Sequence, residues 1–384
     1  MKPMNILFLM GTYPSYGGVE IVSTVLANQF IKDGHRVTIA SYKQPLDDAA
    51  QLNLSDQCDF LFLSHPVLSY QNIKKLREYI LTHHIEVLIN QWVIPFYATL
   101  VWKMATDGTN CKIFSVHHGS PDTNMRIQSL KRQIESGKEY LKGVYGLVRE
   151  VSRLSLAFCI KNSHKFILLS PSFIPIAQTF SRVKSAEKFL SIPNPITMPV
   201  SDEGVSKEKE IIYVGRIEYN QKRTDRVVDI WRELESMYPD WKLTIVGDGD
   251  DRDDLEKCIQ EYGLKRVTIT GFVNPIEYYK RASILLLTSD YEGFGLVIAE
   301  AMSHGVVPVV YHSFESAKDL IMDGHNGVLI EKPFDVQTFT NAMQKLMEKT
   351  DYWNTLSQNS RIVSKNFKAA NILKKWYLLM DKSC

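Results

Sequence analysis

The chain has 384 residues, of which 45% are hydrophobic and 11% aromatic, enough for two packed cores and too apolar for a disordered chain. Its net charge is only +2, yet residues 1–195 carry 21 basic against 14 acidic side chains, and residues 196–384 carry 24 against 29. The basic first half suits an anionic partner, and the acidic second half disfavours a nucleic-acid binder.

The first predicted element is a strand over Asn5–Leu9. Its apolar segment is about six residues long and runs into glycines without a small-residue cleavage pattern, so it reads as a strand and not as a signal peptide. The loop MGTYPSYGGVE, Met10–Glu20, leads into a helical pattern over Val19–Lys32. Gly17 and Gly18 would let backbone approach a ligand closely, and the helix start offers amides to an anion. A plain strand-to-helix turn is the competing reading. The spacing of Gly11 and Gly17 breaks the G-x-G-x-x-G dinucleotide fingerprint, which disfavours a nicotinamide enzyme.

Strands are expected next at Arg36–Ala40, Glu86–Asn90, Lys112–Val116 and Lys165–Leu169, with helical segments such as Pro95–Thr106 between them. That alternation implies a parallel sheet covered on both faces, with ligands beyond the carboxyl ends of the strands. Asn90 and Gln91 close one strand and are candidates to touch an acceptor. The stretch FSVHHGSP ends another and holds His117 and His118.

Between these strands, Arg126–Lys165 carries nine basic and three acidic residues, with Leu141, Val144, Tyr145, Val148, Val151 and Leu154 at helical spacing. Two readings stand: a basic amphipathic helix on an anionic membrane, or a helix packed on the domain with a solvated basic face. No apolar run reaches the roughly 20 residues of a membrane span. Five scattered cysteines (Cys58, Cys111, Cys159, Cys258 and Cys384) include no C-x-x-C pair, so neither a disulfide framework nor a zinc site is expected, and a reducing compartment is.

The motif SIPNP, Ser191–Pro195, reads as an extended linker, followed by the polar segment Ser201–Lys209. Domains are expected at residues 1–195 and 196–368. The strand pattern restarts at Ile211–Val214, Lys242–Val246, Arg266–Thr270, Ile284–Thr288 and Val306–Val310, with a helix over Thr224–Tyr238. Gly215 turns the chain after the first of these, and Arg216 and Lys222 follow. Two cations at a strand's carboxyl end suit a diphosphate, although a solvated basic loop would account for them in isolation. The D-x-D at Asp248–Asp250 reads as a turn with helix-start acids rather than as a metal site.

The stretch SDYEGFGLVIAEAM then places Glu292 in a Gly-rich loop and Glu300 in an apolar run over Leu296–Met302 that reads as a short buried helix. Its start at Phe294, Gly295 and Leu296 is a second amide site for an anion. A buried carboxylate needs a partner, and a ligand rich in hydroxyls would supply one to Glu300 and to Glu292. The last element is a helix over Ala369–Lys382 with Trp376 on its apolar face.

Taken together, the chain resembles a retaining glycosyltransferase of family 4 over nearly its whole length. EGFGLVIAE matches that family's E-x7-E motif, VGRIEYNQKR its G-R…K element, SIPNPI the end of its first domain and GTYPSYGGVE its acceptor-side glycine loop. The resemblance implies an α/β, GT-B fold: two Rossmann-like doubly wound domains facing across a cleft, with helix 369–384 crossing back onto the first. It implies transfer of a hexose-type sugar, with retention, from a nucleotide diphosphate sugar, expected to be a UDP-sugar, to a glycan or lipid-linked glycan acceptor. Arg216, Lys222 and the backbone of Phe294, Gly295 and Leu296 would hold the diphosphate, and Glu300 the ribose. Glu292 would touch the donor sugar. His118, before Gly119, fits the family's catalytic histidine, with His117 the alternate one residue away. No metal or other cofactor is expected, and the location is cytoplasmic or peripheral on the inner membrane face. A nonhydrolysing nucleotide-sugar epimerase and a non-catalytic nucleotide-sugar binder are the alternatives.

Overall fold

In the computed structural model, the described residues are 2–15, 17–44, 53–199 and 206–383. Tyr16 of the glycine loop, most of the polar Ser201–Lys209 segment and Cys384 lie outside them. The chain divides into two compact units, Met1–Thr197 with Ala369–Cys384, and Met198–Lys368.

The first unit is built on seven parallel strands: β1 (Asn5–Thr12), β2 (Arg36–Lys43), β3 (Asp59–Phe62), β4 (Val87–Asn90), β5 (Lys112–His117), β6 (Lys165–Leu168) and β7 (Phe189–Ser191). Their order is β3-β2-β1-β4-β5-β6-β7. The central strands are apolar on both faces: Ile6, Leu7, Phe8, Val87, Leu88 and Ile89 are all fully buried. That is the composition expected of a sheet covered on both sides. The C-terminal helix Ala369–Ser383 belongs to this unit; Tyr377 packs edge-on against Phe30, and its hydroxyl donates to Asp33 Oδ2 at 2.5 Å.

The second unit holds β8 (Glu210–Val214), β9 (Lys242–Val246), β10 (Val267–Ile269), β11 (Ile284–Leu287), β12 (Val307–Tyr311) and β13 (Val328–Ile330). All are parallel, in the order β10-β9-β8-β11-β12-β13. The helix Thr224–Glu235 buries Val227, Val228, Ile230, Trp231 and Leu234, one stripe at helical period, against this sheet.

Three strands are additional to those expected: β3, β7 and β13. Each is an edge strand of three or four residues. On β3 only Leu61 is buried, while Phe60 and Phe62 stay exposed. Such strands lack the continuous apolar run that marks a central strand.

Candidate active site

In each sheet the strand order reverses once, between β1 and β4 and between β8 and β11. At such a switch point the following loops diverge and leave a crevice. In the second unit the loops after β8 and β11 meet there and are stitched together. The Asp290 N–H donates to the Gln221 carbonyl at 2.8 Å, and Gln221 Nε2 donates to the Tyr291 carbonyl at 3.1 Å. Thr288 Oγ1 donates to the Arg223 carbonyl at 2.9 Å.

The stitching joins Lys222 to Glu292. Lys222 Nζ lies 2.7 Å from Glu292 Oε1, and the Ser289 hydroxyl donates to the same oxygen at 2.7 Å. The two side chains are only 16% and 9% exposed. This is a buried, charge-assisted hydrogen bond. The sequence gives no sign of the pairing, since the two residues come from separate motifs. Arg216, by contrast, is 58% exposed; its guanidinium reaches Gln221 Oε1 at 3.1 Å and Glu218 Oε2 at 3.2 Å. It stands at the carboxyl end of β8, where the sequence places it.

Glu300 lies on the helix Leu296–Ser303 and is 4% exposed. The Tyr279 hydroxyl donates to its Oε2 at 3.3 Å. Burial beside this carboxylate pushes the Tyr279 phenol well above its ordinary range, so it stays a donor. Tyr279 is a partner that motif reading missed. Its only signal was an aromatic in a helix just before β11.

The helix itself starts without a side-chain cap, at Gly295 with φ +80°. A side chain there would be strained, and its Cβ would press on Ile298 Cδ1 at 2.9 Å. Phe294 is buried edge-on against Phe367, which anchors the loop. The first amides of an uncapped helix have no intrahelical acceptor and suit an anion.

Asp248 of the D-x-D and the neighbouring Asp251 have protein partners. Asp248 pairs with Arg252 at 3.1 Å, and Asp251 accepts the Tyr219 N–H at 2.6 Å. Asp253 and Asp254 open the helix Arg252–Glu261, the place expected for acids.

In the first unit, His117 closes β5, paired in register with Leu168, and His118 follows directly. His117 is buried, stacked on Phe166, with Nε2 at 3.3 Å from the Ser120 carbonyl. His118 is less buried, and its Nε2 lies 2.5 Å from Gln91 Oε1. Burial holds both imidazoles below their ordinary pKa; His118 is pushed down to about 3, with the neighbouring His117 adding to the effect.

Gln91 also lines a cavity of about 280 Å3, together with Gly11, Glu20, Lys43, His65 and Trp92. The Trp92 ring lies on Gly11 so closely that a Cβ there would come within 2.9 Å of it. Burial pushes the Glu20 carboxyl up. These residues belong to different loops, so spacing alone could not unite them.

One expectation needs correction here. Asn90 is fully buried, bonded to Ser115 Oγ and the Trp92 N–H, and serves the sheet rather than an acceptor. At Gly17 (φ −82°) the Glu20 carboxylate, which folds over the helix start, comes within 2.1 Å of where a Cβ would sit, an approach a side chain would block. At Gly18 a Cβ would meet nothing within 4 Å.

The basic segment is not one helix. It divides into Met125–Glu135, a turn at Glu139–Leu141, and Lys142–Asn162. Val144, Leu147, Val151 and Leu154 form an exposed apolar stripe on the last, while Ser155, Leu156, Cys159 and Ile160 are buried on the domain. No helix among the described residues is long and apolar enough to cross a membrane.

Comparison with known proteins divides at the same place as the fold. Residues 16–197 match the family described as Glycosyltransferase Family 4, and residues 200–363 match Glycosyl transferases group 1. An uncharacterized glycosyltransferase of Haemophilus influenzae is 24% identical over 97% of this chain and 98% of its own length. An α-1,4-N-acetyl-D-galactosaminyltransferase of Campylobacter jejuni, named for a diphospho-undecaprenol-linked glycan, is 24% identical over 98% of each chain. Among solved structures, HepE of Anabaena with UDP and glucose superposes at a TM-score of 0.74, with 19% identity over 99% of this chain and 100% of that one. The pneumococcal O-GlcNAc transferase GtfA superposes at 0.78, with 13% identity over 100% and 99%.

Proposed function

We propose that this chain, a GT-B glycosyltransferase of the family 4 type, moves a hexose-type sugar with retention from a UDP-sugar to a glycan or lipid-linked glycan, in the synthesis of a bacterial surface polysaccharide. The observation that carries the reading is the second unit's switch point. There Arg216, the Lys222–Glu292 pair, the uncapped helix at Gly295 and the buried Glu300 converge on the ends of two adjacent strands.

The parts suit a nucleotide sugar. A departing nucleoside diphosphate gathers negative charge in the transition state, which preorganised cations and amides stabilise. Arg216, Lys222 and the backbone of Phe294, Gly295 and Leu296 take that task, with no metal required. Glu300 accepts ribose hydroxyls beside the Tyr279 hydroxyl. Glu292, already neutralised by Lys222, positions the donor sugar, and His118 supplies the catalytic side chain of the first unit. The donor base is proposed from HepE, whose structure holds UDP. The acceptor class is proposed from the Campylobacter relative's name. An epimerase or a catalytically silent binder is not favoured, because both family models describe transferases.

A peripheral position on an anionic membrane, through the exposed stripe of Lys142–Asn162, completes the proposal and would bring the site to a lipid-linked acceptor. The deciding experiment is a thermal-shift panel of nucleoside diphosphates and nucleotide sugars in EDTA. A shift with uridine ligands that persists in EDTA and disappears in Arg216→Ala supports a metal-independent UDP-sugar site. A well-folded protein that no nucleotide stabilises sinks it.

A further inference from the structure

His118 makes one side-chain hydrogen bond among the described residues, to Gln91. The atom facing Nε2 is Oε1, a carbonyl oxygen that can only accept. Nε2 therefore carries a proton. A neutral imidazole has one N–H, so Nδ1 is a bare lone pair. That nitrogen is buried and has no hydrogen-bond partner among the described residues. Buried polar atoms are nearly always paired, and an orphan at a strand's carboxyl end marks a place for a ligand's donor.

Gln91 is well placed to impose this state. It is only 7% exposed, and its own N–H donates to the Leu9 carbonyl at 2.9 Å, which ties it to β1. It also forms part of the wall of the cavity that holds Trp92 and Glu20. His117 leaves no such buried orphan among the described residues; its ring is stacked on Phe166 and its Nε2 meets the Ser120 carbonyl.

We propose that Gln91 is a positioning residue that holds His118 in the Nε2–H tautomer, leaving Nδ1 as the acceptor for a hydroxyl of a bound sugar. The identity of the hydroxyl rests on the glycosyltransferase reading, whereas the tautomer does not. The role differs from a packing role because it fixes which ring nitrogen carries the proton, and that nitrogen can be observed directly.

The test is long-range 15N–1H correlation spectroscopy on the full chain at neutral pH, with His118 assigned by its loss in His118→Gln. The expected spectrum shows protonated Nε2 and bare Nδ1. Gln91→Leu is expected to mix the tautomers and lower kcat about tenfold, the size of one lost hydrogen bond, with UDP affinity unchanged. Gln91→Glu keeps an acceptor in place. It should retain the tautomer, recover turnover relative to Gln91→Leu and move the acidic limb of the pH profile upward, because a carboxylate favours the imidazolium. Protonated Nδ1 in the unmodified protein overturns the proposal, as does a Gln91→Leu variant with unchanged tautomer and turnover. A chain that transfers no sugar from any nucleotide donor would overturn the transferase reading alone, while the spectrum still decides what Gln91 does.

Discussion

Lys222 and Glu292 are 70 residues apart in sequence, yet their charged groups lie 2.7 Å apart, tying the loop after β8 to the loop after β11. Both side chains are mostly buried. Truncating Lys222 to Ala would strand a carboxylate with only the Ser289 hydroxyl. Removing one member of a buried pair costs about 3–5 kcal/mol. We expect Lys222→Ala to lower unfolding stability by about that much, and the double variant with Glu292→Gln to recover most of it while remaining inactive. Denaturant titrations of the single and double variants measure the coupling; additive losses would mean that the two groups act independently.

The hydroxyl of Tyr279 against Glu300 leads to a separate test of the ribose role. Glu300→Ala is expected to weaken UDP binding at least about tenfold, or about 1.4 kcal/mol. Tyr279→Phe removes one hydrogen bond and should cost about 1 kcal/mol of stability, with a smaller loss of affinity. Calorimetric titration with UDP separates the two. Equal affinity in Glu300→Ala and the unmodified protein would remove Glu300 from the donor site.

The central strands could be read from sequence because a sheet covered on both faces demands continuous apolar runs, as in Asn5–Leu9 and Ile284–Thr288. The edge strand Asp59–Phe62 could not, since its outward Phe60 and Phe62 break the pattern. Local spacing likewise marked Glu292, Glu300, Arg216 and Lys222 one motif at a time. It could not show that Lys222 neutralises Glu292, that Tyr279 meets Glu300 or that Gln91 meets His118. Each of those contacts joins elements that only the strand order makes adjacent.

The depressed pKa of His118 predicts how stability varies with pH. Its folded value of about 3 lies below the unfolded value of about 6.5. Between these values the unfolded chain binds the proton and the folded chain does not. The stabilisation is therefore complete above about pH 6.5 and is lost as pH falls toward 3, with a slope of at most about 1.4 kcal/mol per pH unit. His117 is shifted the same way and adds to the loss. His118→Gln, which cannot titrate, should flatten the curve. Unfolding free energies of the two proteins across the acid range measure it, and parallel curves would show that His118 is not held neutral by the fold.

The stripe of Val144, Leu147, Val151 and Leu154 recurs every three or four residues along one face of Lys142–Asn162, between 43% and 66% exposed. A helix that only packed on its domain would turn such a face inward, as this one does with Leu156 and Ile160. Lys142 opens this helix and Lys131 and Lys138 precede it in the chain, and each basic residue near an anionic bilayer contributes about 1 kcal/mol. Cosedimentation with vesicles containing phosphatidylglycerol should show binding that weakens with salt, since screening acts over about 10 Å at 0.1 M ionic strength. Leu147→Asp should weaken binding at any salt, because it removes the inserted apolar group. Lys138→Glu with Lys142→Glu should remove the salt dependence and reduce transfer to a lipid-linked acceptor more than to a soluble glycan. These residues belong to the first unit and the donor loops to the second, so UDP binding should be unchanged in both variants. Vesicle binding that is absent from the unmodified protein at low salt would show that the stripe meets something other than an anionic membrane.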